Sequence, residues 1–131
     1  IEFEALIDSS VESAYKLEIR RGDRKTIGFA ELIRELVADV RAKTDVSVIS
    51  AKFHNAVAEL IANLSILLRT ETNINKIALT GGCFQNVALL TRSLKLLAAN
   101  GFEVLVHRKV PPNDGGLALG QAVLAGVSGK R

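Results

Sequence analysis

Two short apolar runs in the second half of the chain each stop at a glycine pair, and each gives way to a helical pattern. Lys76-Ile77-Ala78-Leu79 ends at Thr80-Gly81-Gly82, and a helix is expected over residues 85–99, with Val87, Leu90, Leu94 and Leu97 on one face and Asn100-Gly101 as its stop. Phe102-Glu103-Val104-Leu105-Val106 is the next strand, followed by a loop through Pro111-Pro112-Asn113-Asp114-Gly115-Gly116 and an apolar helix over residues 117–127. Strand, glycine loop, helix, strand, glycine loop, helix is a βαβα unit with a parallel strand pair. The Lys76 run has the composition of a strand buried on both faces. Both glycine loops leave carboxyl ends of neighbouring parallel strands, which is where open α/β sheets bind ligands.

The first half reads as support. An opening helix is expected over residues 1–8, with Ile1, Ala5 and Leu6 on one face. Tyr15, Leu17 and Ile19 alternate with charged residues, and the Arg21-Gly22-Asp23-Arg24 turn leads back through Thr26 to Gly28. This predicts a small hairpin in which Gly22 supplies a positive φ. Leu32, Ile33, Leu36, Val37 and Val40 form one amphipathic helix. Phe53, Val57, Leu60, Ile61, Leu64, Leu67 and Leu68 form a second, over residues 46–68. Together these elements describe an α/β fold with a small, mainly parallel sheet flanked by the helices at Leu32, Phe53, Val87 and Leu117.

Composition narrows the class further. With 131 residues, 48% hydrophobic and 24% charged, the chain reads as one domain able to build a core without disulfides or a structural metal. One cysteine and two histidines cannot make a four-ligand zinc site or a disulfide framework, so a reducing cytoplasmic setting is expected. No apolar stretch reaches the roughly 18 to 20 residues of a membrane span, and a net charge of +3 is too small to argue for nucleic acid. The sequence has no methionine and opens at Ile1, so it is expected to be processed or to be a piece of a longer protein.

The loops admit two readings each. Gly81-Gly82 removes two side chains where a helix begins, which lets backbone N–H groups approach a phosphate or ribose, or serves only a tight turn with positive φ. The pattern is neither a Walker phosphate loop nor G-x-G-x-x-G. In the second loop Asp114 stands at the mouth of the last helix, either as an N-cap or as an oxygen ligand for a cation. Cys83 sits at a helix start that would favour its thiolate, yet between Gly82 and Phe84 it reads as a small packed hydrophobe. His54 reads as a satisfied core histidine, and His107 stands at a strand end beside Arg108 and Lys109.

Thr80-Gly81-Gly82-Cys83-Phe84-Gln85-Asn86, together with Val110-Pro111-Pro112-Asn113-Asp114-Gly115-Gly116-Leu117-Ala118-Leu119-Gly120-Gln121-Ala122, closely resembles the C-terminal part of the hydrogenase maturation carbamoyltransferases, the HypF family. Ala51-Lys52-Phe53-His54-Asn55 and the Tyr15 segment are also similar, so the resemblance runs from about Ala14 to Ala125. It implies a lobe of the actin-like ATPase (ribonuclease H-like) superfamily, the C-terminal lobe of a larger carbamoyltransferase. Such an enzyme passes a carbamoyl group from ATP-derived carbamoyl adenylate to the C-terminal cysteine of a maturation partner protein, toward the cyanide ligands of nickel–iron hydrogenase. By position, Gly81, Gly82 and Asn86 would line the nucleotide, Gly115 and Gly116 its phosphates, and Asp114 would bind Mg²⁺ or another divalent metal.

Cys83 departs from the family, which usually has a small apolar residue such as valine there. Nothing resembles the family's paired metal histidines, acylphosphatase-like module, zinc-finger segment or adenylate-forming module. The expectation is therefore half of a two-lobe site, with no catalytic base named and with the rest of the same enzyme as a partner. The alternatives are a lobe of a tRNA threonylcarbamoyl transferase or small-molecule O-carbamoyltransferase, or a non-catalytic docking module recognising its partner through Arg20, Arg21, Arg24 and Lys25 or Arg108 and Lys109.

Overall fold

The computed structural model describes residues 2–128. In chain order the elements are α1 (Glu2–Ala5), β1 (Glu18–Arg20), β2 (Thr26–Gly28), α2 (Ala30–Arg41), α3 (Val46–Thr72), β3 (Lys76–Leu79), α4 (Val87–Ala99), β4 (Glu103–Val106) and α5 (Leu117–Ser128), with 3₁₀ turns at Gly82–Gln85 and Asp114–Gly116. No helix among the described residues is long and apolar enough to cross a membrane.

β3 and β4 pair in parallel, with Lys76 opposite Glu103 and Leu79 opposite Val106, as the βαβα pattern requires. Their shared inner face carries Ile77, Leu79, Val104 and Val106, which pack with Ala62 of α3, Leu97 of α4 and Phe102. The other face does not match the expectation of a doubly buried strand: Lys76, Ala78, Glu103 and Leu105 are exposed on it. Only α3 and α4 cover the pair, so side-chain alternation, rather than continuous burial, decides which residues are inside.

A second cluster gathers at the amino-terminal half of α3, where Tyr15, Leu32, Ile49 and Ala56 are buried with Leu17, Leu36 and Phe53 around them. α2 packs here and not on the parallel pair. It buries Leu32, while Ile33, Val37 and Val40 of its expected apolar stripe remain exposed. The hairpin is antiparallel, with Ile19 opposite Ile27. Tyr15 precedes it as a core residue, and Gly22 does not adopt the positive φ expected of it.

Helix ends explain the remaining differences in boundaries. The opening helix is a single turn, and Ile1 lies outside the described residues. Asp45 caps α3 by accepting from Ser47 N, and at the far end α3 runs four residues past Leu68 until Asn73 takes a left-handed conformation at φ 56°. Arg69 then ties that end to the sheet. Its guanidinium donates to Asn75 Oδ1 at 2.9 Å and Asn100 O at 2.8 Å, and lies 4.1 Å from the Phe102 ring centroid.

Polar contacts lock the Tyr15 cluster to α2 and α3. The Tyr15 hydroxyl donates to Asp39 Oδ2 at 2.8 Å, Lys52 Nζ pairs with the same oxygen, and Lys52 also lies over the Tyr15 ring. The Lys52 ammonium, and after it the Tyr15 hydroxyl, holds the Asp39 carboxyl below its ordinary range. Burial, and then Asp39, pushes the Tyr15 phenol up. A carboxyl lowered by folding stabilises the fold above its unfolded value, and that contribution is lost as pH falls through the folded value. Thermal melts from about pH 6 to about pH 2.5 should therefore show a steeper acid loss in the native protein than in Asp39→Asn. Parallel acid profiles for the two proteins would refute an ionised Asp39 as the stabilising species.

Candidate functional site

The parallel register carries both glycine loops to one end of the sheet. Gly81 N–H donates to Pro112 O at 2.9 Å, so the two loops touch through their backbones. A cavity of about 510 Å³ opens beside them. Gly81, Gly82, Asp114 and Gly116 border it, as do His107 and the α5 residues Leu117 and Leu124. Thr80 Oγ1 and His107 Nε2 lie 2.8 Å apart, linking the residues that follow the two strands across the mouth.

Three of the four loop glycines have a separate steric reason for their place. Gly81 sits at φ 103°, ψ 159°, a region that side chains other than hydrogen rarely tolerate. A Cβ on Gly116 would come 2.9 Å from Pro111 O and 3.0 Å from Val110 Cγ1. At Gly115 it would meet Asn113 Oδ1 at 3.0 Å. Gly82 is open, its nearest neighbour being Asn113 Cβ at 3.9 Å. The positive φ at Gly81 thus satisfies the turn requirement, while Gly82 leaves clear space toward the opposite loop.

Asp114 was expected to be either a cap or a ligand, and the capping side chain is its neighbour. Asn113 Oδ1 accepts from Gly115 N at 3.0 Å at the head of the 3₁₀ turn, whereas Asp114 is exposed at the cavity and does not cap. Its carboxylate is therefore free to meet a cation. Among the described residues no three His, Cys, Asp or Glu side chains gather to hold a metal ion. Asp114 has the chemistry of one oxygen ligand and does not by itself make a metal site.

Asn86 lies apart from that cavity. It ends the Gly82–Gln85 turn and caps α4, its Oδ1 accepting from Leu89 N at 2.8 Å, which is why α4 starts two residues later than the periodicity suggests. Its amide nitrogen is 2.8 Å from His54 Nε2. Cys83, expected to pack, is exposed on the turn. Of the basic groups proposed for docking, Arg20 pairs with Glu18 at 2.8 Å and Lys25 with Glu71 at 2.6 Å, so part of that charge is already neutralised. A larger hollow of about 700 Å³ lies between α1, α3 and α4, lined by Ile7, Val11, Val87 and Ala88 among others, and neither glycine loop borders it.

Residue-by-residue reading of the sequence missed the contributions of Thr80, Asn113 and Glu4. The Glu4 carboxylate accepts from Val87 N at 2.6 Å and Ala88 N at 3.2 Å, capping α4 from 83 residues away in sequence. No local signal announces that contact. An Asn two residues before a glycine N–H is a recognisable turn signature, and it could have identified Asn113.

The fold is an α/β lobe of the Kae1-like kind, its two glycine loops meeting over the carboxyl ends of a parallel pair. The family described as "Carbamoyltransferase, Kae1-like Domain, second subdomain" matches residues 1–121. The chain is 35% identical over 117 residues to Carbamoyltransferase HypF of Synechocystis sp., covering 88% of this chain and 14% of that protein. It is 31% identical over 126 residues to Carbamoyltransferase HypF of Rhizobium leguminosarum bv. viciae, covering 95% and 16%. A crystal structure of full-length HypF in the phosphate- and nucleotide-bound form superposes with a TM-score of 0.87 at 45% identity, over 95% of this chain and 20% of that one. HypF of T. kodakarensis shares the fold, with a TM-score of 0.66 at 18% identity. The chain belongs to the HypF carbamoyltransferase family, as the second subdomain of the Kae1-like domain. It spans about a seventh of the length of the first of these relatives.

The glycine geometry makes a direct forecast. Gly81→Ala should lower thermal stability by about 1–3 kcal/mol through backbone strain, and Gly116→Ala should also be destabilising because the clash is with backbone. Gly126→Ala, which meets nothing within 4 Å, should be neutral or stabilising by up to about 1 kcal/mol as a helix substitution. Equal melting shifts for Gly81→Ala and Gly126→Ala would show that Gly81 is not strained.

Proposed function

We propose that this lobe binds ATP or carbamoyl adenylate in the crevice between its two glycine loops, as half of a carbamoyltransferase site. The observation that carries the reading is the shared cavity at the carboxyl ends of β3 and β4, bordered by Gly81, Gly82 and Gly116 with the uncapped Asp114 at its edge. Gly81 and Gly82 would line the nucleotide, with Asn86 ending the same loop, and Gly115 and Gly116 would approach the phosphates by backbone N–H groups. Asp114 would be one ligand of Mg²⁺ or another divalent metal, which offsets the charge developing on the leaving phosphate. The chain supplies backbone donors and one carboxylate.

The acceptor in this proposal is the C-terminal cysteine of a hydrogenase maturation partner, whose thiolate takes the carbamoyl group as the adenylate leaves. That the curated relatives carry the name Carbamoyltransferase HypF supports this branch over the tRNA and small-molecule branches. The reducing cytoplasm is the proposed setting, and the exposed, unbridged Cys83 is compatible with it. The rest of the enzyme is the proposed cover for α5 and the outer sheet face, where Leu105, Leu119, Val123 and Val127 are exposed.

In the full-length enzyme Asp114→Asn should remove most metal content and carbamoyl transfer. Because Asn113 already makes the capping bond, both Asp114→Asn and Asp114→Ala should shift stability by less than about 0.5 kcal/mol. Wild-type metal content and transfer in Asp114→Asn would remove the residue from the site.

A further inference from the structure

His54 borders neither glycine loop directly, yet its ring is wired to one of them: it is buried on α3 and bonded to the end of the Gly81 turn. Its Nδ1 lies 2.8 Å from Ser50 O. A carbonyl oxygen only accepts, so Nδ1 carries the proton of the neutral ring and Nε2 presents a lone pair. Asn86 Nδ2 donates to that lone pair at 2.8 Å, and this fixes the amide with its oxygen turned toward Leu89 N–H. Reversing the amide would set two acceptors facing at His54 and two donors facing at Leu89, so both bonds stand or fall together. Phe3 and Phe53 hold the imidazole between them, with ring centroids 5.6 Å and 5.9 Å away.

We propose that His54 is a positioning residue for the nucleotide loop, acting through Asn86 to fix the carboxyl end of the turn that begins at Gly81. Phe84 packs against the Ala62, Leu79, Leu97 and Phe102 cluster, and the other anchors of the turn are backbone hydrogen bonds. Phe84 N donates to Gly81 O at 3.1 Å and Asn86 N to Cys83 O at 3.2 Å, both within the turn itself, and Gly81 N holds the opposite loop. The His54–Asn86 bond adds a side-chain hydrogen bond from the end of this turn to α3, the longest helix of the fold. The effect on nucleotide rests on the reading of this loop as a nucleotide site, whereas the effect on the α4 cap does not.

Hydrogen exchange in the full-length enzyme separates the two. With a non-hydrolysable ATP analogue as the probe, protection of amides in residues 81–90 reports binding at this loop alone. His54→Leu removes the acceptor and His54→Asn keeps polarity but is too short to reach Asn86, so each should need about 3- to 10-fold more analogue for half-maximal protection, the worth of one hydrogen bond. His54→Gln, which can present an acceptor at the same reach, should recover most of the affinity. In an Asn86→Ala background, His54→Leu should add no further loss.

Without nucleotide, Leu89 N–H should exchange faster in His54→Leu and His54→Asn than in the native enzyme, while the buried Leu97 region stays protected as a check on folding. Unchanged Leu89 exchange in a folded His54→Leu or His54→Asn enzyme overturns the proposal, as do losses from His54 and Asn86 that multiply independently. If the analogue protects nothing in the native enzyme while Leu89 still responds to His54, the nucleotide reading fails and the His54–Asn86 link to the α4 cap stands.

Discussion

The parallel pairing of β3 with β4 is the constraint on which the site depends. Parallel strands point their carboxyl ends the same way, so the segments that follow Leu79 and Val106 must begin side by side. An antiparallel pairing of the same two segments would carry the glycine loops to opposite ends and leave neither with a partner. Register matters equally, because Leu79 opposite Val106 puts Thr80 and His107 level with each other, and their side chains bond across the gap. From there the Gly81–Pro112 backbone bond joins the loops without any side chain standing between them.

Holding a two-stranded sheet in that register requires support from one side, since two strands alone are marginal. α3 provides it. Its 27 residues are long enough to serve two clusters, Tyr15 with Leu32 near one end and Leu79 with Leu97 nearer the other. Arg69 and Asn75 then pin the start of the strand pair, with Asn75 Nδ2 donating to Gly101 O at 2.7 Å and Glu103 N to Asn75 O at 3.0 Å. His54 lies in the stretch of α3 that carries the Tyr15 cluster and is bonded to the cap of α4, so a single helix sets both the sheet and the far end of the glycine turn. α1, though only one turn, contributes through Glu4 at the same cap.

What could be read in advance follows from the range of the interactions involved. The βαβα succession depends on local periodicity and glycine punctuation, both written in consecutive residues, and it led to the parallel pair and to the meeting of the two loops. The His54–Asn86 bond, the contact of Glu4 with α4 and the covering of only one sheet face depend on residues far apart in sequence. Lys76-Ile77-Ala78-Leu79 has the composition of a doubly buried strand, and nothing within those four residues reveals that only one face is covered. Likewise Asp114 and Asn113 are both good capping residues, and only the backbone of the turn selects Asn113 for the bond and leaves Asp114 free.

The exposed helix α5 connects this incompleteness to the site. A helix that is apolar around its whole circumference belongs in an interior, yet Leu117, Leu124 and Val127 are each more than 60% exposed here. Fully burying one such side chain contributes about 1.5–3 kcal/mol, so a surface that enclosed several of them would add substantially to the stability of this helix. Leu117 and Leu124 also form one wall of the cavity beside the glycine loops. The wall is thus made by the element that the lobe's own core holds least, while the opposite wall, Thr80 to Gly82, is anchored through the sheet. Packing against α5 and completing the cavity are for this reason physically the same requirement: whatever buries the helix also fixes how closely Gly116 and Asp114 can approach Gly82.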